Sequence, residues 1–133
     1  MQILIIEDSD SIRHLIETLV AARGHRVEAV PNGAKGVDAA LTRPPDVILL
    51  DLFLPGSVDG FDVCRKLRAA ESTRAVPIIV ISSLTDDASK LRAAEAGATA
   101  YYTKPFSPTA LLKEIESLGS RDRGTTRARL TSP

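Results

Sequence analysis

The chain has a single cysteine, Cys64, no tryptophan, and aromatic residues at only 4% of its 133 positions. One thiol excludes an internal disulfide and any metal site built from several thiolates. No apolar run approaches the length needed to span a membrane. No basic segment precedes the first apolar run, Ile3-Leu4-Ile5-Ile6, as a secretory signal requires, so a cytoplasmic protein is expected. Net charge is absent as well, with 17 basic against 17 acidic side chains. That balance hides an asymmetry. The stretch from Arg121 onward holds four arginines and one acid, which leaves 13 basic and 16 acidic residues, about −3, for the rest. A slightly acidic body argues against nucleic acid as its own ligand. The tail arginines are scattered among Gly, Thr and Ser with nothing to position them.

What is present belongs to one ordinary domain with a single core, 44% hydrophobic and 26% charged. Strand-like apolar runs recur at Ile3–Ile6, Val27–Val30, Val47–Leu50, Ile78–Ile81 and, more briefly, Ala100–Tyr102. Helical spacing fills the intervals. Ile12, Leu15, Ile16, Leu19 and Val20 form one stripe, stopped by Gly24. Asn32 caps a weaker helix through Val37 and Leu41. Phe61, Cys64 and Leu67 mark a third helix. Thr85, Asp86 and Asp87 open a fourth, whose inward positions read as Ala88, Leu91 and Ala94. Ser107-Pro108 opens a fifth, with Leu111, Leu112, Ile115 and Leu118 facing inward. Five alternating β and α elements predict a parallel sheet covered on both faces. The second strand mixes polar residues with apolar ones and reads as an edge. The domain is expected to span 1–119, with 120–133 a disordered tail or linker.

Asp51 ends the most apolar run, and Pro55-Gly56 turns the chain shortly after it. In open α/β sheets the carboxyl ends of the strands are where ligands sit. With the first and third strands as neighbours, Glu7, Asp8 and Asp51 converge there. Crowded carboxylates repel one another unless a cation joins them, and Mg²⁺ suits an all-oxygen donor set that leaves room for water and phosphate. Lys104 at the end of the last strand adds a fixed positive charge, and Ser82 at the end of the fourth adds a hydroxyl. A nucleophilic carboxylate, a divalent cation, a lysine and a hydroxyl together suit phosphoryl transfer onto Asp51.

In these residues the chain resembles the receiver domain of two-component response regulators. The resemblance covers residues 2–118 and rests on Glu7-Asp8, Asp51, Pro55 with Asp59-Gly60, Ser82, and Lys104-Pro105-Phe106. It implies a flavodoxin-like (βα)5 fold with strand order 2-1-3-4-5, the order for which a member of this family is the stock example. It implies a phosphoacceptor switch rather than an enzyme, with only slow self-catalysed phosphorylation and dephosphorylation. Asp51 would be phosphorylated by a sensor histidine kinase or phosphotransfer protein. Asp8, Asp51 and the backbone carbonyl of Phe53 would hold Mg²⁺, with Glu7 acting directly or through water. Lys104 would pair with Asp51, Ser82 and Tyr101 would form the switch pair, and the Lys104–Pro105 bond would be cis. Output would pass through the fourth helix, fifth strand and fifth helix to an effector protein or domain. The chain would be a monomer or a phosphorylation-dependent dimer. The alternative is the N-terminal part of a longer regulator whose effector follows. One departure stands out: three residues, Gly56, Ser57 and Val58, separate Pro55 from Asp59-Gly60, where the family usually has two.

Blander roles compete for several of these residues. Glu7-Asp8 could be a solvated turn, with Ser9 capping the first helix. Ser83 rivals Ser82, and Tyr101 could be a core ring, with Tyr102 on the opposite face. His14 lies off the apolar stripe and reads as solvated, and Cys64 as a core residue. Two other reaction classes fail on residue types. A flavodoxin needs a phosphate-binding loop where this chain has Glu7-Asp8-Ser9-Asp10. A haloacid-dehalogenase-type phosphatase needs a second aspartate where this chain has Phe53.

Overall fold

A computed structural model describes residues 1–120. The elements alternate without exception: β1 (Gln2–Ile6), α1 (Asp10–Ala22), β2 (Arg26–Val30), α2 (Gly33–Thr42), β3 (Val47–Asp51), α3 (Gly60–Ala69), β4 (Ile78–Ser82), α4 (Asp87–Ala96), β5 (Ala100–Thr103) and α5 (Pro108–Gly119). All strand pairs are parallel and the order is β2-β1-β3-β4-β5, the flavodoxin-like arrangement expected. The 120–133 tail expected from the sequence lies, beyond Ser120, outside the described residues.

Period-two alternation divides each strand between two cores. Leu4, Ile6, Ile48, Leu50, Ile78 and Val80 face α2, α3 and α4 and pack with Phe61, Cys64 and Leu67. Ile3, Ile5, Val47, Leu49, Ile79 and Ile81 face α1 and α5 and pack with Ile16, Val20, Leu111 and Ile115. β3 and β4 are buried at every position, because helices cover both faces of the centre of the sheet. β2 is at most half-buried throughout, as befits an end strand.

Short polar side chains start each helix. Ser9, Asn32, Asp59, Asp86 and Ser107 accept from the backbone N–H of Ile12, Lys35, Asp62, Ser89 and Ala110. Asp86, not Thr85, caps α4. The inward face of α4 also differs from the expected one. Its buried residues are Ala93 and Ala96, whereas Ala88 and Ala94 are exposed and Leu91 is 61% exposed. Leu15 and Leu41 likewise sit at the rims of their stripes, 45% and 44% exposed. On α4 the guanidinium of Arg92 lies 3.9 Å from the centroid of the Phe61 ring, holding α4 against α3 from outside the core.

The close approach of α3 to the end of β3 fixes the floor of the site. Gly60 N–H donates to the Leu52 carbonyl at 3.1 Å. A Cβ on Gly60 would lie 2.5 Å from the Leu52 Cα and 2.6 Å from the Asp51 carbonyl oxygen, both backbone atoms that cannot yield alone. Gly60→Ala should therefore push α3 off the strand end and cost about 1–3 kcal/mol. Urea unfolding checks this; an unchanged midpoint would show that the contact is softer than its geometry.

Candidate functional site

The register brings the strand ends level. Ile6 pairs with Leu50, Asp51 with Ile81, and Ser82 with Thr103, while Lys104 N–H donates to the Ser82 carbonyl at 2.8 Å. The residues that follow β1, end β3 and β4, and follow β5 thus meet along one edge. Glu7, Asp8 and Asp51 each offer an oxygen there, all within 4.8 Å of one another. Glu7 and Asp51 are buried and Asp8 is exposed, so the cluster has two inner carboxylates and one at its mouth.

Lys104 bridges the inner pair. Its Nζ lies 3.0 Å from Glu7 Oε1 and 3.1 Å from Asp51 Oδ2. The other Asp51 oxygen accepts from Phe53 N–H at 3.1 Å, and Glu7 Oε2 accepts from Ser9 N–H at 3.0 Å. Burial raises the Glu7 pKa to about 7; the Asp51 charge adds to the rise, and the Ser9 N–H and the Lys104 ammonium only partly offset it. Burial works against the charged form of Lys104, but its bonds to Glu7 and Asp51 outweigh that and raise its pKa. Lys104 enters its loop through a cis Lys104–Pro105 bond.

Lys104 reaches the two inner carboxyl groups while Asp8 stands exposed at the mouth, so three carboxyl groups gather around one ammonium at an all-oxygen site. That donor set fits a hard divalent cation and offers nothing to a soft one.

Ser82 is fully buried, and its Oγ accepts from Leu84 N–H at 3.1 Å, whereas Ser83 is exposed. Tyr101 donates its hydroxyl to the Leu84 carbonyl at 2.8 Å. The segment between β4 and α4 is thus held by Ser82 on one side and Tyr101 on the other. The two tyrosines face opposite cores, and Tyr102 bonds to Glu114 on α5 at 3.1 Å. The Phe53 ring is 56% exposed beside Asp51.

Two contacts were not visible in the sequence. Arg13 on α1 donates to the carbonyls of Glu7 and Asp8 at 2.9 and 3.4 Å while also pairing with Asp10, so a guanidinium holds the acidic loop in place. On the far side, Gly33, the first residue of α2, lies against Val58 of the lengthened β3–α3 loop. A Cβ there would overlap the Val58 carbonyl oxygen. The loop therefore leans on the start of α2 through Val58. Only the pairing of an arginine one turn into α1 with two adjacent acids could have hinted at the first contact.

The raised Glu7 pKa predicts a pH dependence in the metal-free protein. The folded state keeps the Glu7 proton up to about pH 7, whereas the unfolded chain releases it near the ordinary glutamate value of 4.5. Between those values the folded state binds more protons, so stability falls as pH rises through the window. Glu7→Gln should flatten that fall and, above pH 7, make the protein more stable by up to about 3 kcal/mol. Chelator-treated samples unfolded in urea from pH 5 to 8 provide the check. Parallel profiles for the two proteins would refute it.

Comparison with known proteins agrees with this geometry. A family profile described as "Response regulator receiver domain" matches residues 3–116. The chain is 37% identical over 117 residues to the DNA-binding dual master transcriptional regulator RpaA of Synechocystis sp., covering 88% of this chain and 48% of that protein. It is 33% identical to the response regulator PleD of Caulobacter vibrioides, covering 88% of this chain and 26% of PleD. The chain thus spans half or less of these two relatives. Among solved structures, the receiver domain of a Pseudomonas aeruginosa sensor histidine kinase, with magnesium coordinated in its active-site cleft, superposes with a TM-score of 0.83 at 31% identity. That match covers 90% of this chain and 98% of that one. The BeF3-activated receiver domain of Klebsiella pneumoniae RstA superposes with a TM-score of 0.83 at 29% identity, covering 91% and 100%. No helix among the described residues is long and apolar enough to cross a membrane.

Proposed function

The chain belongs to the response regulator receiver domain family, and from that premise we propose that Asp51 accepts a phosphoryl group from a histidine kinase or phosphotransfer protein. The observation that carries this reading is the Lys104 ammonium bridging Asp51 Oδ2 and Glu7 Oε1, with the exposed Asp8 carboxylate gathered beside them. An Asp51 oxygen attacks phosphorus in line with the leaving imidazole nitrogen. The phosphorus–nitrogen bond breaks as the phosphorus–oxygen bond forms, and the ring nitrogen takes a proton. Asp8, Asp51 and the Phe53 carbonyl would hold Mg²⁺, with Glu7 behind them. When bound, the ion supplies charge neutralisation for the transferring group. Lys104 releases Glu7 or Asp51 as it turns to the phosphoryl oxygens.

The same placement favours a switch. The phosphoryl group brings roughly two negative charges and strong acceptor oxygens. Ser82 exchanges its bond with Leu84 N–H for one to a phosphoryl oxygen, which loosens the segment that Tyr101 also holds. α4 lies next along the chain and is seated in the core by only Ala93 and Ala96, so it shifts at low cost. Output therefore passes through α4, β5 and α5 to an effector protein or domain. Because the chain spans half or less of the two curated relatives compared, a longer regulator with its own effector domain is the second reading.

Two experiments test the proposal. Incubation with a small acyl phosphate and Mg²⁺ should add one phosphoryl group at Asp51, with chelator suppressing labelling by at least about tenfold. Asp51→Asn should fold and remain unlabelled, and full labelling of that variant would remove the phosphoacceptor assignment. Tyr101→Ala should shrink the phosphorylation-induced gain in partner affinity, which for such switches is on the order of 5–150-fold. Equal affinities for the variant and the wild type in both states would rule Tyr101 out of the switch.

A further inference from the structure

β2 ends the sheet, and its outer edge has no neighbouring strand among the described residues. α2 packs chiefly on β1 and α3. The α2-side face of β2 instead opens on a cleft of about 780 Å³, lined in part by Arg26, Glu28, Lys35, Asp38 and Arg43. Arg26 and Glu28 are exposed on this face and form no ion pair among the described residues.

The backbone direction is fixed by two bonds. Arg26 N–H donates to the Met1 carbonyl, and the Val30 carbonyl accepts from Glu7 N–H, so both residues turn their backbone groups inward to β1. Alternation then turns Val27 and Ala29 outward, with donors and acceptors that have no backbone partner among the described residues. Natural sheets blunt such an edge with a proline, a bulge, a very short strand or charged side chains. Between Arg26 and Val30 there is no proline, and the two charges have opposite signs at alternate positions.

We propose that this edge pairs with the same edge of a second copy of the chain, antiparallel about a two-fold axis at Val27. Val27 then exchanges both backbone hydrogen bonds with Val27 of the second copy. Arg26 of each copy stands opposite Glu28 of the other, on the face where the cleft leaves room. The half-buried Val27 side chains meet on the α1 face. Moving the axis to Glu28 would set glutamate against glutamate, and moving it to Ala29 would leave Glu28 opposite Val30. Only the axis at Val27 pairs opposite charges. The two sheets join into one, and α4, β5 and α5, at the other end of each sheet, stay free. Association is therefore independent of phosphorylation and goes beyond the receiver reading.

Sedimentation equilibrium of the full chain from about 10 µM to about 1 mM should show a monomer–dimer equilibrium that weakens with salt. Arg26→Glu and Glu28→Arg should each weaken it by at least about tenfold, since each places like charges opposite one another. The double charge swap should restore it. Circular dichroism establishes that each variant is folded. Val27→Cys should form a disulfide-linked dimer under mild oxidation and Ala29→Cys should not, because a directly opposed hydrogen-bonded pair places its Cα atoms about 5.5 Å apart, within disulfide reach. The native Cys64 is buried and does not compete. A monomer across the range, a dimer indifferent to the single reversals, failure of the double swap to restore, or a dimer seen only after phosphorylation would each overturn the proposal.

Discussion

Everything at the carboxyl edge depends on holding like charges together. Glu7 and Asp51 are buried within reach of each other, and a single ammonium, Lys104, keeps them there. That ammonium comes from the far end of the domain in sequence, so the site exists only when β1, β3, β4 and β5 are all in register. Strand register is strongly specified because a slip of one residue would turn the apolar set of each strand to the wrong core. The two cores therefore define the site as much as the charged residues do. The incomplete compensation at Glu7, whose burial outweighs its Lys104 and Ser9 partners, is why that carboxyl holds its proton up to about pH 7.

The supports around the cluster divide the labour. Arg13 fixes the carbonyls of the acidic loop, Gly60 lets α3 press onto the end of β3, and Gly33 admits the Val58 carbonyl of the β3–α3 loop. Each of these fixes backbone rather than a charged side chain, and the Phe53 carbonyl proposed as a metal ligand is itself a backbone atom. The loop after β4 is held differently. It hangs on the Ser82 and Tyr101 hydroxyls, the two side chains of the proposed switch.

Much of this was legible in the sequence, for a physical reason. Central strands buried on both faces are unbroken apolar runs, and a charge that ends such a run is conspicuous, so β1, β3, β4, Asp51 and Lys104 could be read directly. Polar residues within the second run marked β2 as an edge. α4 was misread because its anchors, Ala93 and Ala96, are small and its largest apolar residue, Leu91, faces outward. A periodicity argument follows the largest side chains, and in α4 these do not define the buried face. The Gly33–Val58 contact was out of reach and Arg13 at most hinted at, because they join a bare Cα or a side chain to backbone, which carries little residue-type signature.

The misread helix is also the informative one. A change of one or two hydrogen bonds at the strand ends moves only what is held by a comparable energy. β3 and β4 are buried at every position, and α3 and α5 each insert at least three buried side chains, so neither sheet nor these helices can respond to so small a change. α4 inserts two alanines, and its further hold on α3 is an arginine lying over the Phe61 ring. Burying two methyl groups is worth on the order of 1–2 kcal/mol, within the range of a coupling free energy between two sites. Weak seating of α4 is therefore not a defect in the core. On the proposed reading of Asp51 as phosphoacceptor, it is the condition under which that chemistry is felt at the surface, at the β5 end of the sheet and away from the charged outer edge of β2.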